Sequence, residues 1–553
     1  IQKKKFSEAI NLYEKILKVV PNNFDANLNL GTIFAENNNL KKASELWTKA
    51  IEINPNVADA HNNLASLYMR LGENDKALTY IKNAIKINPK FSLAYNNLGM
   101  LNNIVGKFDE AKKNFLEAIQ AEPKNIMAYY NLANLYQKLS DIENSENYYL
   151  KAIEINPKFF NAYNNLMNLY ERIGQNTKLE EIINKAEKHF ANNPSIKLFK
   201  GKLLFKSKRY EDSINNLNSI EFDSRNETKE TSRCGTLAKC YDQTGDFKKA
   251  YEFFKKTNDI NFNLNKNKID KNKAINIIKD RINFFDNPNI KNWPIPKLNT
   301  KEKNPIFLIG FPRSGTTLLD TILRSHPSLD VIEEKPIIDD FIKELNKKIY
   351  SNLNNLKTIN ESLLEEMRNV YFDSQKKYFK QNNKKIHIDK MPLNIIHVGE
   401  IVRIFPDAKF ILAIRHPCDS ILSCFMQNFL LNDSMANFLD LNDSANFYNY
   451  TMTLWEKYIN VLKINYHVIK YEEVVTDFET SIKKLLEFLD LPWSENVTKF
   501  YKTAETRGII STPSYDQVNK PLYTKSIGRW KNYETQFEKI LPTLNPWIKK
   551  FEY

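Results

Sequence analysis

Five prolines, Pro21, Pro55, Pro89, Pro123 and Pro157, stand 34 residues apart, and the sequence between them repeats with the same period. AHNNLASLYMRLGENDKALTYIKNAIKINP is followed by AYNNLGMLNNIVGKFDEAKKNFLEAIQAEP and then by AYYNLANLYQKLSDIENSENYYLKAIEINP. Each unit reads as two amphipathic helices and a turn, closed by a proline that stops the second helix. One such unit cannot bury its apolar face alone. The units must therefore stack, and the first half of the chain is expected to form an all-α right-handed solenoid.

The period, and the small residues where paired helices touch (Gly31, Ala65, Gly99, Ala133), resemble tetratricopeptide repeats. Two looser units follow, around Ser195 to Phe222 and Arg233 to Ile260, and Ile1 to Pro21 supplies the second helix of an incomplete first unit. Asn29, Asn63, Asn97, Asn131 and Asn165 also recur every 34 residues, on first helices, which line the concave wall of such solenoids. An amide both donates and accepts, so a ladder of five suits an extended polypeptide backbone whatever its sequence. A similar ladder holds peptide substrates in the repeat domain of O-linked N-acetylglucosamine transferases. The other reading of the same residues is structural: consensus amides that satisfy neighbouring groups in an Asn-rich chain.

At 553 residues the chain is too long for one core. Residues 1–260 read as the repeat solenoid, 261–304 as a polar Lys/Asn-rich connector, and 305–553 as a second domain in which strands alternate with helices around a parallel sheet. No run of 18 uninterrupted apolar residues occurs, so no transmembrane segment is read. The net charge of +14 comes without a stripe of arginine and aromatic residues, which argues against a nucleic-acid partner and suits collection of an anionic nucleotide. Cys234, Cys240, Cys418 and Cys424 lack zinc spacing, and the histidines lack a ligand pattern, so no metal is expected. Free buried thiols point to a reducing, cytoplasmic setting. The first residue is Ile1, already within a helical pattern, which reads as a chain that starts further upstream and leaves a removed signal or anchor open.

The chemistry begins at PIFLIGFPRSGTTLLDTILRSHPSLDVIEEKP, residues 305–336. Ile306 to Ile309 form a buried strand, Gly310 and Gly315 bracket a tight loop, and a helix starts near Thr317. Strand, glycine loop and helix point successive backbone N–H groups at one anion. The spacing is that of a nucleotide P-loop, but Thr316 stands where the loop lysine of a triphosphatase would be, and Arg313 offers a planar fork of donors instead.

FPRSGTT after a strand resembles the 5′-phosphosulfate loop of sulfotransferases that use 3′-phosphoadenosine-5′-phosphosulfate (PAPS). The resemblance places Arg313, Ser314, Gly315, Thr316 and Thr317 around the donor's phosphosulfate. After the strand KFILAI comes RHPCDSILSCF, where the family's 3′-phosphate clamp implies Arg415 and Ser423; Tyr471 matches a tyrosine near the same phosphate. Read without the family, Arg415 would pair with Asp419. The closer likeness is to tyrosylprotein sulfotransferases. It implies Glu334 of VIEEKP as catalytic base, Lys390 of IDKMPLN as neutraliser of charge on the bridging oxygen or sulfuryl group, Ser514 as transition-state donor and Arg529 in place of a nucleotide-binding lysine. Glu333 is the alternative base, and Lys390 could instead pair with Asp389. Gln427 departs from the family, which has an arginine there, and the family's luminal anchor and disulfides are missing.

The fold expected is thus multidomain: an all-α tetratricopeptide solenoid followed by an α/β, P-loop-like, parallel-sheet sulfotransferase domain. The function implied is transfer of a sulfuryl group from PAPS to an acceptor hydroxyl, with no metal. A protein tyrosine presented by the repeat groove is the acceptor the resemblance implies; saccharide, lipid and small phenol acceptors stay open. Two other readings compete. One is a repeat-based scaffold with an inactive catalytic fold; the other is a nucleotide kinase, against which the missing loop lysine and Walker B acid both argue.

Overall fold

The computed structural model describes residues 2–223, 226–287, 289–290, 304–378, 386–502, 522 and 524–553. The chain divides into two compact units, Ile1–Glu221 and Phe222–Tyr553.

The first unit is helical throughout. α1 (Gln2–Val19) is followed by the pairs α2 (Phe24–Glu36) and α3 (Leu40–Ile53), α4 (Ala58–Arg70) and α5 (Asn74–Ile87), and α6 (Ser92–Ile104) and α7 (Phe108–Ala121). Then come α8 (Ile126–Lys138) and α9 (Ile142–Ile155), α10 (Phe160–Arg172) and α11 (Asn176–Glu187), and α12 (Pro194–Lys206) and α13 (Tyr210–Asn218). Each of the five periodic prolines stands two residues past the end of a helix, as its missing N–H and fixed φ require. The small residues are explained by what faces them. A methyl on Gly31 would lie 2.6 Å from the Trp47 ring, and one on Gly99 would lie 2.6 Å from the Phe115 ring. One large ring per pair fills the space that the glycine leaves.

The second unit begins with α14 (Glu227–Thr244), α15 (Phe247–Asn265) and α16 (Lys271–Phe285). This differs from the division expected from sequence, which assigned residues 233–260 to the solenoid and 261–304 to a linker. Ala250, Phe254, Ile278 and Phe285 belong to the same buried cluster as the sheet residues Phe307 and Phe410. Asn258 Nδ2 bonds the backbone oxygens of Phe425 and Leu439 at 3.0 and 3.2 Å. Residues 271–285 of the connector thus form a core helix; its residues 288 and 291–303 lie outside the described residues.

Five parallel strands follow: β1 (Ile306–Gly310), β2 (Leu329–Glu333), β3 (Ile386–Lys390), β4 (Lys409–Ile414) and β5 (Asn465–Lys470), in the order β2-β3-β1-β4-β5. All five residues of β1 are buried, as a central strand with both faces covered must be. The chain leaves β1 toward one edge for β2 and β3 and crosses to the other for β4 and β5. The reversal of order beside β1 opens a crevice at the carboxyl ends of β1 and β4, where ligands of doubly wound sheets bind. Two helices start at this edge and matter below: α17 (Thr316–Ser325) after β1, and α18 (Ile337–Lys348) after β2. α19 (Glu361–Lys376) and α20 (Val398–Ile404) flank β3; α21 (Pro417–Phe425) follows β4, α22 (Leu441–Val461) precedes β5, and α23 (Tyr471–Thr476) starts directly after β5.

Candidate active site

The loop between β1 and α17 is shaped by two glycines. Gly315 caps α17 at φ +95, and a methyl there would lie 2.8 Å from Tyr471 Cδ2. A methyl on Gly310 would lie 2.3 Å from the Ala413 backbone oxygen of the neighbouring strand. Both positions need glycine for close approach. Arg313 also has positive φ, +69. Ser314 is 2 % exposed and its buried Oγ has no partner among the described residues, which leaves a hydroxyl that a ligand could satisfy. Thr316 and Thr317 are buried in the first turn of α17, where backbone N–H groups and the helix dipole favour an anion.

The residues singled out after β4 and β5 come to this loop. Arg313 Nε donates to Ser423 Oγ on α21 at 2.9 Å. The Arg415 guanidinium, leaving the end of β4, lies 4.9 Å from the centre of the Tyr471 ring at the start of α23. Its Nη1 reaches the Arg313 backbone oxygen at 3.4 Å and its Nη2 the Ser526 backbone oxygen at 2.5 Å. Among the described residues, the buried Arg415 Nε has no hydrogen-bond partner. One arginine, held against a ring with a donor unspent, is suited to a phosphate.

The pairing of Arg415 with Asp419 does not form. Asp419 accepts instead from two backbone groups, Gly528 N at 2.7 Å and Trp530 N at 2.9 Å, and so pins the segment that supplies Ser526. Arg529, implied by the resemblance as a nucleotide ligand, lies on the same segment. Its Nη2 pairs with Asp242 of α14 at 2.6 Å. Ser514 lies outside the described residues.

A second cluster sits at the ends of β2 and β3, where Glu333 and Lys390 are partners in register. The Lys390 side chain is completely buried; its Nζ lies 2.7 Å from Glu334 Oε1 and 3.5 Å from Glu333 Oε1. A buried ammonium is tolerated only when paired, and here two carboxylates do so. Glu334 takes φ +47 and its N–H bonds the Lys390 backbone oxygen at 2.8 Å, which ends the strand and turns its side chain toward the lysine. Asp389 does not compete for Lys390. Successive strand side chains point to opposite faces, and the Asp389 carboxyl meets the Tyr371 hydroxyl at 3.4 Å.

In the solenoid, Asn97 Nδ2 donates to Asn62 Oδ1 at 2.8 Å and Asn131 Nδ2 to Asn96 Oδ1 at 3.0 Å. Asn165 Nδ2 donates to Asn134 Oδ1 at 2.9 Å and to the Tyr130 hydroxyl at 3.0 Å. Three rungs of the ladder therefore link neighbouring repeats, and Asn29 is exposed. Among the described residues, no group of three His, Cys, Asp or Glu side chains could hold a metal ion, and no helix is long and apolar enough to cross a membrane. The four cysteines are buried.

Comparison with known proteins decides what the strand–loop–helix site belongs to. The model of the Sulfotransferase family matches residues 305–495. The C-terminal part of this chain carries a sulfotransferase domain. Tetratricopeptide repeat models match residues 58–91, 126–159 and, within the second unit, 232–263. An uncharacterized protein of Aquifex aeolicus (strain VF5) is 30% identical over 258 residues, 45% of this chain and 33% of its own length. Protein-tyrosine sulfotransferase 1 of Danio rerio is 26% identical over 43% of this chain and 69% of its own. Protein-tyrosine sulfotransferase of Drosophila melanogaster is 24% identical over 42% of this chain and 47% of its own. In two of these three the match spans less than half of the relative's length. The sulfotransferase domain thus holds Arg313, Ser314, Arg415, Ser423 and Tyr471 in one place, and Glu334 with Lys390 in another at the same edge of the sheet.

Proposed function

We propose that this chain moves the sulfuryl group of PAPS to the hydroxyl of a polypeptide acceptor, a tyrosine being the favoured side chain. The observation that carries the reading is Arg415: fixed against Tyr471, beside the Arg313–Ser423 pair, with Nε buried and unspent. An ordinary adenylate has no 3′-phosphate to engage it. The orphaned Ser314 hydroxyl and the first turn of α17 fit the other, 5′ end of the same donor.

When bound, PAPS supplies an activated sulfur. The acceptor oxygen forms a bond to it as the bond to the phosphate oxygen breaks, and the acceptor proton must leave. Glu334 is the group suited to take that proton, since its side chain is partly exposed while held by Lys390. Lys390, 2.7 Å from Glu334 Oε1, keeps this carboxylate oriented. Its buried ammonium can serve developing negative charge without first shedding water. The names of the two animal relatives support tyrosine as acceptor. The solenoid supports a polypeptide, because binding energy gained along an extended groove can position a distant reacting group.

The test is sulfate transfer from labelled PAPS to tyrosine-containing peptides and to their Tyr→Phe counterparts. Label on the tyrosine peptides alone supports the reading. Label on neither, with PAPS bound, refutes the acceptor class; failure to bind PAPS refutes the donor.

A further inference from the structure

Asp242 lies on α14, inside the stretch matched by a tetratricopeptide repeat and outside residues 305–495. Yet both of its carboxylate oxygens are used by the end of the chain. Arg529 Nη2 donates to Oδ2 at 2.6 Å, and the Tyr533 hydroxyl donates to Oδ1 at 2.7 Å. The Asp242 side chain is 5 % exposed. Burial is the largest single influence on Arg529 and works against its charge, but the hydrogen bond and the charge of Asp242, with smaller help from Tyr533 and Asp419, together hold the guanidinium above its ordinary range. Removing Arg529 would leave the buried Asp242 charge without its ion-pair partner, which makes the pair costly to break from that side.

The segment anchored in this way is the one that contacts the nucleotide site. Gly528 and Trp530 are held by Asp419, and the Trp530 ring stacks on His416, with centroids 5.4 Å apart. Two residues before Gly528, the Ser526 carbonyl accepts the shortest bond that the Arg415 guanidinium makes. The other carbonyl on Arg415 is 3.4 Å away, and a ring face does not fix rotation within its own plane. The direction in which Arg415 presents its free Nε is therefore set by where residues 526–530 sit.

We propose that Asp242 is a positioning residue of the nucleotide site: by anchoring Arg529 and Tyr533 it sets the Ser526 carbonyl against Arg415, and so makes the site selective for a 3′-phosphate. The proposal rests on the reading of Arg415 given above. It makes the last repeat-like helix pair a working part of the catalytic unit, and it gives Arg529 a role through Asp242 and not through direct contact with nucleotide.

The experiment is calorimetric titration of the full chain with 3′,5′-ADP and with 5′-AMP, for wild type, Asp242→Asn, Tyr533→Phe and Arg415→Ala. Asp242→Asn keeps the shape and removes the charge. It should weaken 3′,5′-ADP by about fivefold or more, as loss of one orienting bond does, and 5′-AMP by less than about twofold. Tyr533→Phe, which removes one bond without opening a cavity, should show a smaller loss in the same sense, and it carries the test should Asp242→Asn not fold. Equal weakening of both nucleotides would mean that Asp242 only holds the fold together, and no change in either would mean that the segment holds its place without it; both overturn the proposal. If Arg415→Ala collapses the ratio of the two affinities while Asp242→Asn and Tyr533→Phe leave it intact, the Asp242 proposal alone falls. If Arg415→Ala leaves the ratio unchanged, the reading of Arg415 falls and takes the proposal with it.

Discussion

Lys390 and Glu334 meet across the carboxyl ends of neighbouring strands, Nζ to Oε1 at 2.7 Å, the lysine wholly buried and the carboxylate side chain 36 % exposed. The pair joins a group that cannot leave the core to one that can reach an incoming acceptor. Glu334→Gln should therefore retain nucleotide binding and lose transfer by roughly a hundred- to ten-thousandfold, the range that general-base catalysis contributes. Parallel measurement of 3′,5′-ADP affinity and of single-turnover transfer checks this. If Glu333→Gln is the variant that binds and does not transfer, the base is one residue earlier.

Asp389, one residue before Lys390 and on the opposite face, should govern how stability depends on pH. Burial raises its carboxyl from 3.8 to about 7; the Tyr371 bond opposes this and Asp339 adds to it. The folded protein thus holds a proton that the unfolded chain gives up above about pH 4. Stability is greatest at the acid end of that window and falls, by a few kcal/mol at most, as pH rises through about 7, then levels off. Asp389→Asn should flatten the profile between about pH 4 and 7 and raise the melting temperature of the second unit at pH 8. Chemical denaturation across this range checks it, and a wild-type profile rising with pH would contradict it.

Gly315→Ala places a methyl 2.8 Å from the Tyr471 ring at a φ of +95. The loop must move or the tyrosine must, and either disturbs Arg415 above that ring. Nucleotide affinity should fall at least about tenfold, at a cost to folding of roughly 1–3 kcal/mol. Circular dichroism and nucleotide titration of the same sample separate the two effects.

The asparagines of the solenoid divide by what they bond. Asn97→Ala or Asn131→Ala removes an amide bond between repeats and should cost about 1 kcal/mol of stability each. Among the described residues Asn63 makes no such bond, so Asn63→Ala should leave the melting temperature unchanged and, if the groove holds a polypeptide, raise KM for a long acceptor only. Unchanged kinetics with every acceptor in all three variants would leave the ladder a structural one.

Much of this was readable from local pattern. Pro21 to Pro157 mark helix ends because a proline acts on its own turn, and Gly31 and Gly99 mark close contacts of paired helices because a small residue recurs there in each repeat. The β1 loop, Arg415 and Lys390 stand at strand ends, where spacing along the chain is a fair proxy for place. What escaped depends on contacts across hundreds of residues. Nothing near Asp242 signals Arg529 and Tyr533, so α14–α15 read as one more repeat, though they are built into the catalytic core. The alternative of Asp419 as counter-ion to Arg415 rested on their nearness in sequence; in space Asp419 serves backbone groups of Gly528 and Trp530. The Asn doublets at 62–63, 96–97 and 164–165 are visible, but which amide of each turns to the next repeat is decided only by stacking.

The central claim is that this site reads a 3′-phosphate, and calorimetric titration of the wild-type chain and Arg415→Ala with 3′,5′-ADP and 5′-AMP tests it most directly. The wild type should prefer 3′,5′-ADP, and Arg415→Ala should lose about tenfold or more for that nucleotide, as removal of a charge-assisted contact worth roughly 1.5–3 kcal/mol does, with little change for 5′-AMP. Equal affinity of the wild type for the two nucleotides, or equal losses on mutation, would contradict it.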